Sequence, residues 1–200
     1  MTHTFTLLPF AQDEAIAQIS LKGQVQREIS DLKSGLKNEL KDGLKDTLTL
    51  HYELSDPQGV VSISPSALPA RRDGLWQATC FEFFLGAQDS TRYWEFNLSP
   101  AGHWNVYQFE DYRQGMQIEP AWDELPFRVR LTGTTLDPRA NNVTVDLSLD
   151  LTRILPASVP LELAITTVIL LKDGTASYWS LTHCAPQPDF HQKQSFAIRL

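Results

Sequence analysis

The chain contains 200 residues, of which 42% are hydrophobic and 20% charged, so the composition suits one domain, residues 1–200, and argues against a disordered or membrane-embedded chain. Its net charge of −7 argues against nucleic acid or an anionic membrane as the main partner. The amino terminus shows no secretory signal and the two cysteines imply no disulfide framework. We therefore expect a cytoplasmic protein with neither a membrane nor a nucleic-acid partner.

The first predicted element is a helix inserted at residues 24–46. Apolar residues recur there at three- or four-residue spacing, which places them on one stripe of a helix. The stripe comprises Ile29, Leu32, Leu36, Leu40 and Leu44. We interpret the segment as a solvated helix on the rim of the protein. The alternative is a docking helix for a protein partner or for a second copy of the chain, which would make the protein an adaptor.

From residue 47 onward the sequence predicts short β-strands. Apolar and polar residues alternate with period two in 48–54, 127–132 and 143–151, which is typical of strands with one buried face. Further segments are rich in β-branched or aromatic residues: 60–64, 79–85, 93–99, 104–110, 161–171, 176–183 and 195–200. Turn-forming residues separate the segments. The pattern predicts an all-β fold, an antiparallel β-sandwich that carries the helix as an insertion.

Residues 79–107 are predicted to form a meander of three strands, in which two carboxylates lie among aromatic residues. A symmetric hairpin between the first two strands sets Glu82 opposite Glu95. The next turn, residues 100–102, predicts a three-residue loop with its glycine in the left-handed conformation, and its register sets Glu95 opposite Tyr107. The opposite face of the meander is predicted to be core and carries Phe81, Phe83, Trp94, Phe96 and Leu98.

One face of this meander gathers the candidate binding residues. Like charges directly opposite each other on a sheet are unfavourable, so we expect a cation, a shared proton or a hydroxyl-rich ligand to engage both carboxylates. Carboxylates and amides bind vicinal hydroxyls, and flat aromatic rings stack on sugar faces, which favours a carbohydrate or polyol. The candidate binding residues are Arg72, Trp76, Glu82, Tyr93, Glu95, Asn97, Trp104, Asn105, Tyr107 and Arg113. We expect Glu82→Ala or Asn97→Ala to abolish binding without unfolding, because both side chains should be peripheral to the core.

Three segments resemble a known family: "DGLWQATCFEFFL" (73–85), "YWEFNLSPAGHWNVYQFEDYRQGM" (93–116) and "HCAPQPDFHQKQSFAIRL" (183–200). With the strands between them, they make residues 47–200 similar to the DOMON-like family, which is related to carbohydrate-binding module family nine. The resemblance implies a jelly-roll-like β-sandwich that binds a sugar or haem. It places on or near the ligand Trp76, Glu82, Glu95, Asn97 and Trp104. The segment 24–46 departs from the family pattern.

The resemblance also implies the main alternative, a haem b held between a methionine and a histidine. Met116 would supply one axial ligand, and His183 or His191 the other. Zinc is a weaker alternative, because the spacing of His183, Cys184 and His191 matches no standard site.

Catalysis is the least favoured class of function. Opposed Glu82 and Glu95 would have backbones about 5 Å apart, which is compatible with the carboxylate pair of a retaining glycosidase, but nothing in the sequence predicts a cleft between them. No catalytic-triad order, phosphate loop or nucleotide fingerprint appears. The sequence therefore predicts a non-catalytic binding domain without a cofactor, with a carbohydrate or polyol as its ligand.

Overall fold

The structure, a computed structural model, describes residues 2–31, 44–63, 68–132 and 141–200. In these ranges the chain forms β-strands joined by loops and single 3₁₀ turns. The strands are β1 (Thr2–Thr6), β2 (Leu8–Pro9), β3 (Ser20–Asp31), β4 (Leu44–Asp56), β5 (Cys80–Ala87), β6 (Tyr93–Leu98), β7 (Trp104–Phe109), β8 (Gln117–Ile118), β9 (Phe127–Thr132), β10 (Asn141–Asp150), β11 (Leu161–Leu170), β12 (Ala176–Ser180) and β13 (Ile198–Arg199). The 3₁₀ turns are Glu14–Ile16, Leu75–Gln77, Leu151–Arg153 and Lys193–Ser195.

The described strands form two sheets packed face to face. A five-stranded sheet has the order β1-β3-β4-β10-β9. An eight-stranded sheet has the order β2-β12-β11-β5-β6-β7-β8, and β13 also pairs with β11. The paired strands in both sheets run antiparallel, which confirms the predicted antiparallel β-sandwich. The jelly-roll-like connection stays a prediction.

The main core lies between the two sheets, and alternation in the sequence builds it. Every second residue of β4 from Leu48 to Leu54 is buried, as expected for a strand with one face on a core. The hydroxyl of Tyr52 crosses to the facing sheet and donates to the backbone oxygen of Glu82 at 2.6 Å. The hydroxyl of Tyr52 is thus buried with a hydrogen-bond partner, as most buried polar groups are.

The helix predicted at residues 24–46 is wrong. The segment begins in β3 and ends in β4, and its middle part, residues 32–43, lies outside the described residues. β3 and β4 pair antiparallel along their whole length. The physical reason is that Leu21, Val25 and Arg27, which lie on one face of an extended strand, are buried when β3 pairs beside β4. The docking-helix interpretation depended on this helix and is withdrawn with it.

A buried ion pair joins β3 to β4 where the helix was expected. Arg27 donates from Nε to Oδ1 of Asp46 at 2.9 Å and from Nη2 to Oδ2 at 2.6 Å. Its Nη1 donates to the backbone oxygens of Val159 and Leu200 at 2.7 and 3.1 Å. Burial raises the pKa of Asp46, but hydrogen bonds from Arg27 and from the amide of Ser158 hold it below its ordinary value. The pair thereby ties the C-terminal residue to the β3–β4 ladder.

The predicted meander is present as β5, β6 and β7. In its second hairpin Glu95 pairs with Tyr107 and Gly102 has a φ of 86°, which confirms that register and turn. In the first hairpin the predicted register is wrong by two residues, and Glu82 pairs with Asn97 instead of Glu95. The hairpin connection closes later in the chain than a symmetric hairpin assumes. A shift of two residues leaves every side chain on its predicted face.

The C-terminal segment, residues 183–200, covers the outer face of the eight-stranded sheet. Its Phe190 and Phe196 pack with Phe84 and Tyr93 in a second apolar cluster, separate from the main core. The meander is therefore apolar on both faces. The face that the sequence analysis expected to be open is largely roofed.

Some of the other expectations concern less regular parts of the chain. In the described part of the predicted strand 60–64, the pairing is reduced to an isolated bridge between Val61 and Leu171. Across the described ranges, no helix is long and apolar enough to cross a membrane. The division into one domain and the cytoplasmic location stay predictions.

Candidate functional site

A cavity of about 330 Å³ lies on the outer face of the eight-stranded sheet, between the meander and the C-terminal segment. We call it the carboxylate cavity. Its polar lining is formed by Glu82, Glu95, Arg113 and His191. Its apolar walls are formed by Trp76, Phe84, Phe109, Met116, Val168, Tyr178, Pro188 and Phe190. It reaches solvent past Trp76, Met116 and Tyr178, which are 39%, 49% and 37% exposed.

Glu82 lies in the middle of β5 and points into this cavity. Its neighbours Phe81 and Phe83 belong to the main core, so strand alternation turns the carboxyl to the other side. The residue is 2% exposed, and its Oε1 is buried without a hydrogen-bond partner among the described residues. Burial and the charge of Glu95 raise the pKa of Glu82 well above its ordinary range, against the effect of a hydrogen bond with Cys80. The site therefore favours the neutral, protonated form of Glu82.

A second unsatisfied polar atom lies beside Glu82. Thr166 of β11 pairs with Glu82 across the ladder, and its Oγ1 is also buried without a partner in the described part of the chain. A buried polar group left unpaired costs about 1–3 kcal/mol. Such groups are rare in folded proteins and call for an explanation at each site. Of these two atoms only Oε1 of Glu82 belongs to a residue that lines the cavity, and it marks the floor of the cavity as chemically incomplete.

Glu95 lies diagonally across the ladder from Glu82, because its own direct neighbour is Phe84. It is 6% exposed, and its carboxylate accepts a hydrogen bond from Nδ2 of Asn97 at 2.8 Å. Burial raises the pKa of Glu95 to about 7, while Asn97 and the charge of Arg113 oppose this rise. The expected direct opposition of Glu82 and Glu95 is therefore wrong. Diagonal positions on a sheet are about 7–8 Å apart, so the separation of about 5 Å expected for a retaining glycosidase pair is not supported.

His191 reaches the cavity from the C-terminal segment. The hydroxyl of Tyr93 accepts a hydrogen bond from the amide of Arg113 at 3.2 Å and forms a second hydrogen bond with Nδ1 of His191 at 2.8 Å. Burial and Arg113 lower the pKa of His191 to about 4, so the ring is neutral at pH 7. The other ring nitrogen, Nε2, faces Oε2 of Glu95 at 3.8 Å. This distance is too long for a hydrogen bond, so a ligand group placed between Nε2 of His191 and Oε2 of Glu95 would contact both atoms.

Arg113 borders the cavity with its charge already paired. Its Nη2 donates to Oδ1 of Asp189 at 3.0 Å, and Asp189 also accepts from Tyr112, from Gln192 and from the amide of His191. Although burial raises the pKa of Asp189, these hydrogen bonds lower it to about 2. The pair anchors the C-terminal segment to the turn after β7. It leaves little positive charge for the two glutamates.

A polar cluster under the 68–79 loop positions Trp76. The hydroxyl of Tyr107 and Nδ2 of Asn105 both donate to Oδ1 of Asp73 at 2.8 Å. Gly74, with a φ of 70°, supplies the left-handed residue that starts the 3₁₀ turn carrying the tryptophan. The indole of Trp76 then meets the ring of Tyr107 edge-on at 5.8 Å between centroids. Asn105 and Tyr107 thus act on the cavity by holding its tryptophan wall.

The structure divides the ten predicted site residues into three groups. Those that line the cavity are Trp76, Glu82, Glu95 and Arg113. Those that hold the lining in place are Tyr93, Asn97, Asn105 and Tyr107. The third group, Arg72 and Trp104, does not line the cavity. The side chain of Arg72 is exposed. Trp104 is 4% exposed and lies in the main core, with the guanidinium of Arg71 over its ring at 4.2 Å.

The expectation that Glu82 and Asn97 are peripheral is wrong. Asn97 is fully buried, and its Oδ1 lies 3.5 Å from Sγ of Cys80. Truncating either side chain to alanine would therefore disturb packing as well as the cavity. Variants that keep the shape of the side chain are needed to separate binding from folding.

The residues considered for haem and zinc lie in different places. Met116 and His191 both line the cavity, whereas Nε2 of His183 donates to the backbone oxygen of Leu8 at 2.9 Å and lies elsewhere. Cys184 is exposed. Within the described residues, no group of three or more histidine, cysteine, aspartate or glutamate side chains is arranged to hold a metal ion.

Sequence reasoning missed the part of the site that comes from distant segments. The missed lining residues are Val168, Tyr178, Pro188 and Phe190, and the missed anchor is Asp189. The available signal was the dense "PDFH" sequence at 188–191, which combines a rigid residue, an acid, a ring and a histidine. Its position above the meander depends on long-range packing that local patterns do not encode.

Comparison with known proteins gives a fold and no family. No protein-family model matches the chain, and no curated protein matches it. Among solved structures, the chain is similar to a candidate carbohydrate-binding protein from Bacteroides uniformis, at 11% identity and a TM-score of 0.64 over 96% of this chain and 83% of the other. It also matches a family 9 carbohydrate-binding module from Caldicellulosiruptor kristjanssonii, solved with cellotriose, at 12% identity and a TM-score of 0.41 over 92% and 72% of the two chains. At such identities the first match shows a shared β-sandwich.

Proposed function

We propose that the protein is a non-catalytic binding domain that holds a carbohydrate or a similar polyol in the carboxylate cavity. The observation that carries this proposal is the unpartnered Oε1 of Glu82, buried at the polar floor of a cavity whose walls are aromatic. A ligand with several hydroxyls would supply the missing hydrogen bonds. Its apolar ring faces would meet the walls.

The size of the cavity supports a small ligand. At about 330 Å³ it lies near the lower end of the range for ligand pockets, about 300–1,000 Å³. A monosaccharide or the end of a short chain suits this volume better than an extended polymer. The rim residues Trp76, Met116 and Tyr178 are exposed apolar side chains, and contiguous exposed apolar surface is typical of binding sites.

The shared fold gives further support. The candidate carbohydrate-binding protein from Bacteroides uniformis has the same β-sandwich over nearly the whole chain. Fold similarity alone does not transfer a function. The support for ligand binding therefore comes from the cavity, and the shared fold is consistent with it. We also propose that the protein is DOMON-like and that it is cytoplasmic.

The test is titration calorimetry with a panel of hexoses, pentoses, disaccharides and hexosamines. We expect at least one member to bind the native protein, and Trp76→Ala to weaken that binding by about 10-fold, since an aromatic wall is lost. Leu131→Ala is the matched control, because Leu131 is also exposed, at 48%, but lies on β9 of the other sheet. A panel without any binding, or equal losses in the two variants, would contradict the proposal.

Haem b is the second candidate, because Met116 and His191 both line the cavity. The charges in the cavity do not suit a haem. A porphyrin with two propionates would place anions in a site that already holds Glu82 and Glu95, and Arg113 is paired with Asp189. An absorbance spectrum of the purified protein without a Soret band would remove this candidate.

A further inference from the structure

The charges around the carboxylate cavity do not balance. The titratable groups that face it are Glu82 from β5, Glu95 from β6, Arg113 from the turn after β7, Tyr178 from β12 and His191 from the C-terminal segment, with Asp189 directly behind Arg113. Arg113 and Asp189 neutralise each other, and His191 is neutral at pH 7 because its pKa is lowered to about 4. The described lining therefore holds two buried carboxyls whose neighbouring cation, Arg113, is already paired with Asp189.

A ligand with a positive charge would correct this imbalance. Carboxylates buried next to each other resist ionisation unless a cation joins them, and one ammonium group can donate to both. Oε1 of Glu82 has no hydrogen-bond partner in the described ranges, and there the nearest polar contact given for Oε2 of Glu95 is Nε2 of His191 at 3.8 Å, which is too long for a hydrogen bond. Both oxygens are therefore open to an incoming donor.

The walls of the cavity favour the same ligand. Trp76, Phe109, Tyr178 and Phe190 surround the carboxyls with aromatic rings. A desolvated cation over an aromatic face is stabilised by the ring quadrupole, most strongly over tryptophan. Acidic groups at the floor and rings at the sides are the usual surroundings of a bound organic ammonium.

We propose that the group seated between Glu82 and Glu95 is an ammonium, so that the ligand is a hydroxylated amine of the amino-sugar class. This inference rests on the proposed carbohydrate-binding function and narrows its ligand. The amino group pairs with the carboxyls, and the sugar ring lies against the aromatic walls. A neutral sugar fills the same volume but leaves the carboxyls without a counter-charge.

The experiment is calorimetric titration of the native protein with glucosamine, galactosamine and mannosamine, each beside its parent hexose and its N-acetyl derivative. We expect one amine to bind about 10- to 100-fold tighter than both matched neutral sugars, since a hydrogen bond between charged groups adds about that factor. At about pH 6, titrations in two buffers of different ionisation enthalpy should also show a proton released, because the ammonium ionises carboxyls whose raised pKa values keep them protonated in the free protein.

Isosteric variants identify the groups responsible. Glu82→Gln and Glu95→Gln keep the side-chain shape and should each reduce the preference for the amine to within about 3-fold of the neutral sugar. Glu28→Gln removes a charge from an exposed position on β3 of the other sheet and should leave the preference unchanged. Since the wild-type titration already compares amine with neutral sugar, the inference does not depend on the variants folding.

The outcomes separate this inference from the function on which it rests. Equal binding of an amine and its parent hexose would overturn the ammonium assignment and leave a carbohydrate-binding domain. Binding of ethanolamine as tightly as any hexosamine would keep the ammonium and overturn the sugar. Absence of binding by every compound would overturn both.

Discussion

Replacing Glu95 by glutamine should make the protein more stable at alkaline pH and leave it nearly unchanged at acidic pH. Glutamine copies the shape of the protonated carboxyl and can still accept the hydrogen bond from Asn97. It cannot ionise. The variant therefore removes the cost of a buried charge and little else.

The magnitude follows from the raised pKa. Burial raises the pKa of Glu95 from an ordinary 4.5 to about 7. A carboxyl whose pKa is raised by folding stabilises the folded state fully below its unfolded pKa, and this contribution is lost as the pH rises through its folded pKa. Between about pH 4.5 and pH 8 the wild type should thus lose about 3 kcal/mol that the variant keeps. The change at Glu82 adds in the same direction, since its pKa is raised partly by the charge of Glu95.

The assay is urea denaturation of both proteins at about pH 5 and about pH 8, with Glu28→Gln as a control for the loss of one exposed charge. We expect the free energies of unfolding of Glu95→Gln and wild type to agree at pH 5 within about 1 kcal/mol and to differ by about 3 kcal/mol at pH 8. An equal difference at both pH values would mean that Glu95 does not titrate in this range. A less stable variant at pH 8 would mean that the ionised carboxylate is stabilised by its surroundings, and the reasoning about the cavity would be refuted.

Three further variants test the fold and the cavity. Arg27→Ala should lower the free energy of unfolding by about 3–5 kcal/mol in urea titration, because it leaves Asp46 as an unpaired buried charge. Lys22→Ala, which removes one partner of an exposed ion pair, should change it by less than about 1 kcal/mol. Similar losses in the two variants would argue against the β3–β4 pairing. Asp73→Ala should shift the tryptophan fluorescence to the red and weaken ligand binding by freeing the loop of Trp76, and an unchanged spectrum would contradict this role. Phe190→Ala should cost about 3 kcal/mol of stability, and a loss below about 1 kcal/mol would mean that the C-terminal segment does not roof the sheet.

The faces of the meander could be predicted from the sequence because they depend on a local rule. Alternation along a strand assigns Phe83 to the core and Glu82 to the other side whatever the neighbouring strand does. The register error in the first hairpin was an even number of residues, so it changed the neighbour of Glu82 without changing its face. Turn chemistry was equally local, as Gly102 shows.

The errors arose where long-range packing competes with local pattern. The leucines at 24–46 recur with a period that suits a helix, but β3 and β4 obtain their stability from pairing and from the buried contact of Arg27 with Asp46. Trp104 was expected to bind ligand, although most tryptophans are packing residues, and it lies in the main core. The roof formed by Phe190 required knowledge of where residues 183–200 return to the sheet, and no period or motif contains that information.

Buried carboxylates elsewhere in the described protein show how this fold ordinarily treats them. Asp46 is bound by both arms of Arg27, and Glu162 is contacted by Lys193 and Arg199. These two acids have their counter-charge within the chain, whereas the buried Asp56 and Glu119 accept hydrogen bonds from neutral N–H groups, and either arrangement offsets the cost of burial. Glu82 is as deeply buried and lies beside another acid, and it has neither a cation nor a partner for Oε1 among the described residues. Local rules of stability tend to be broken at functional sites, so the missing partner of this acid is best sought outside the chain, in the ligand that enters the carboxylate cavity.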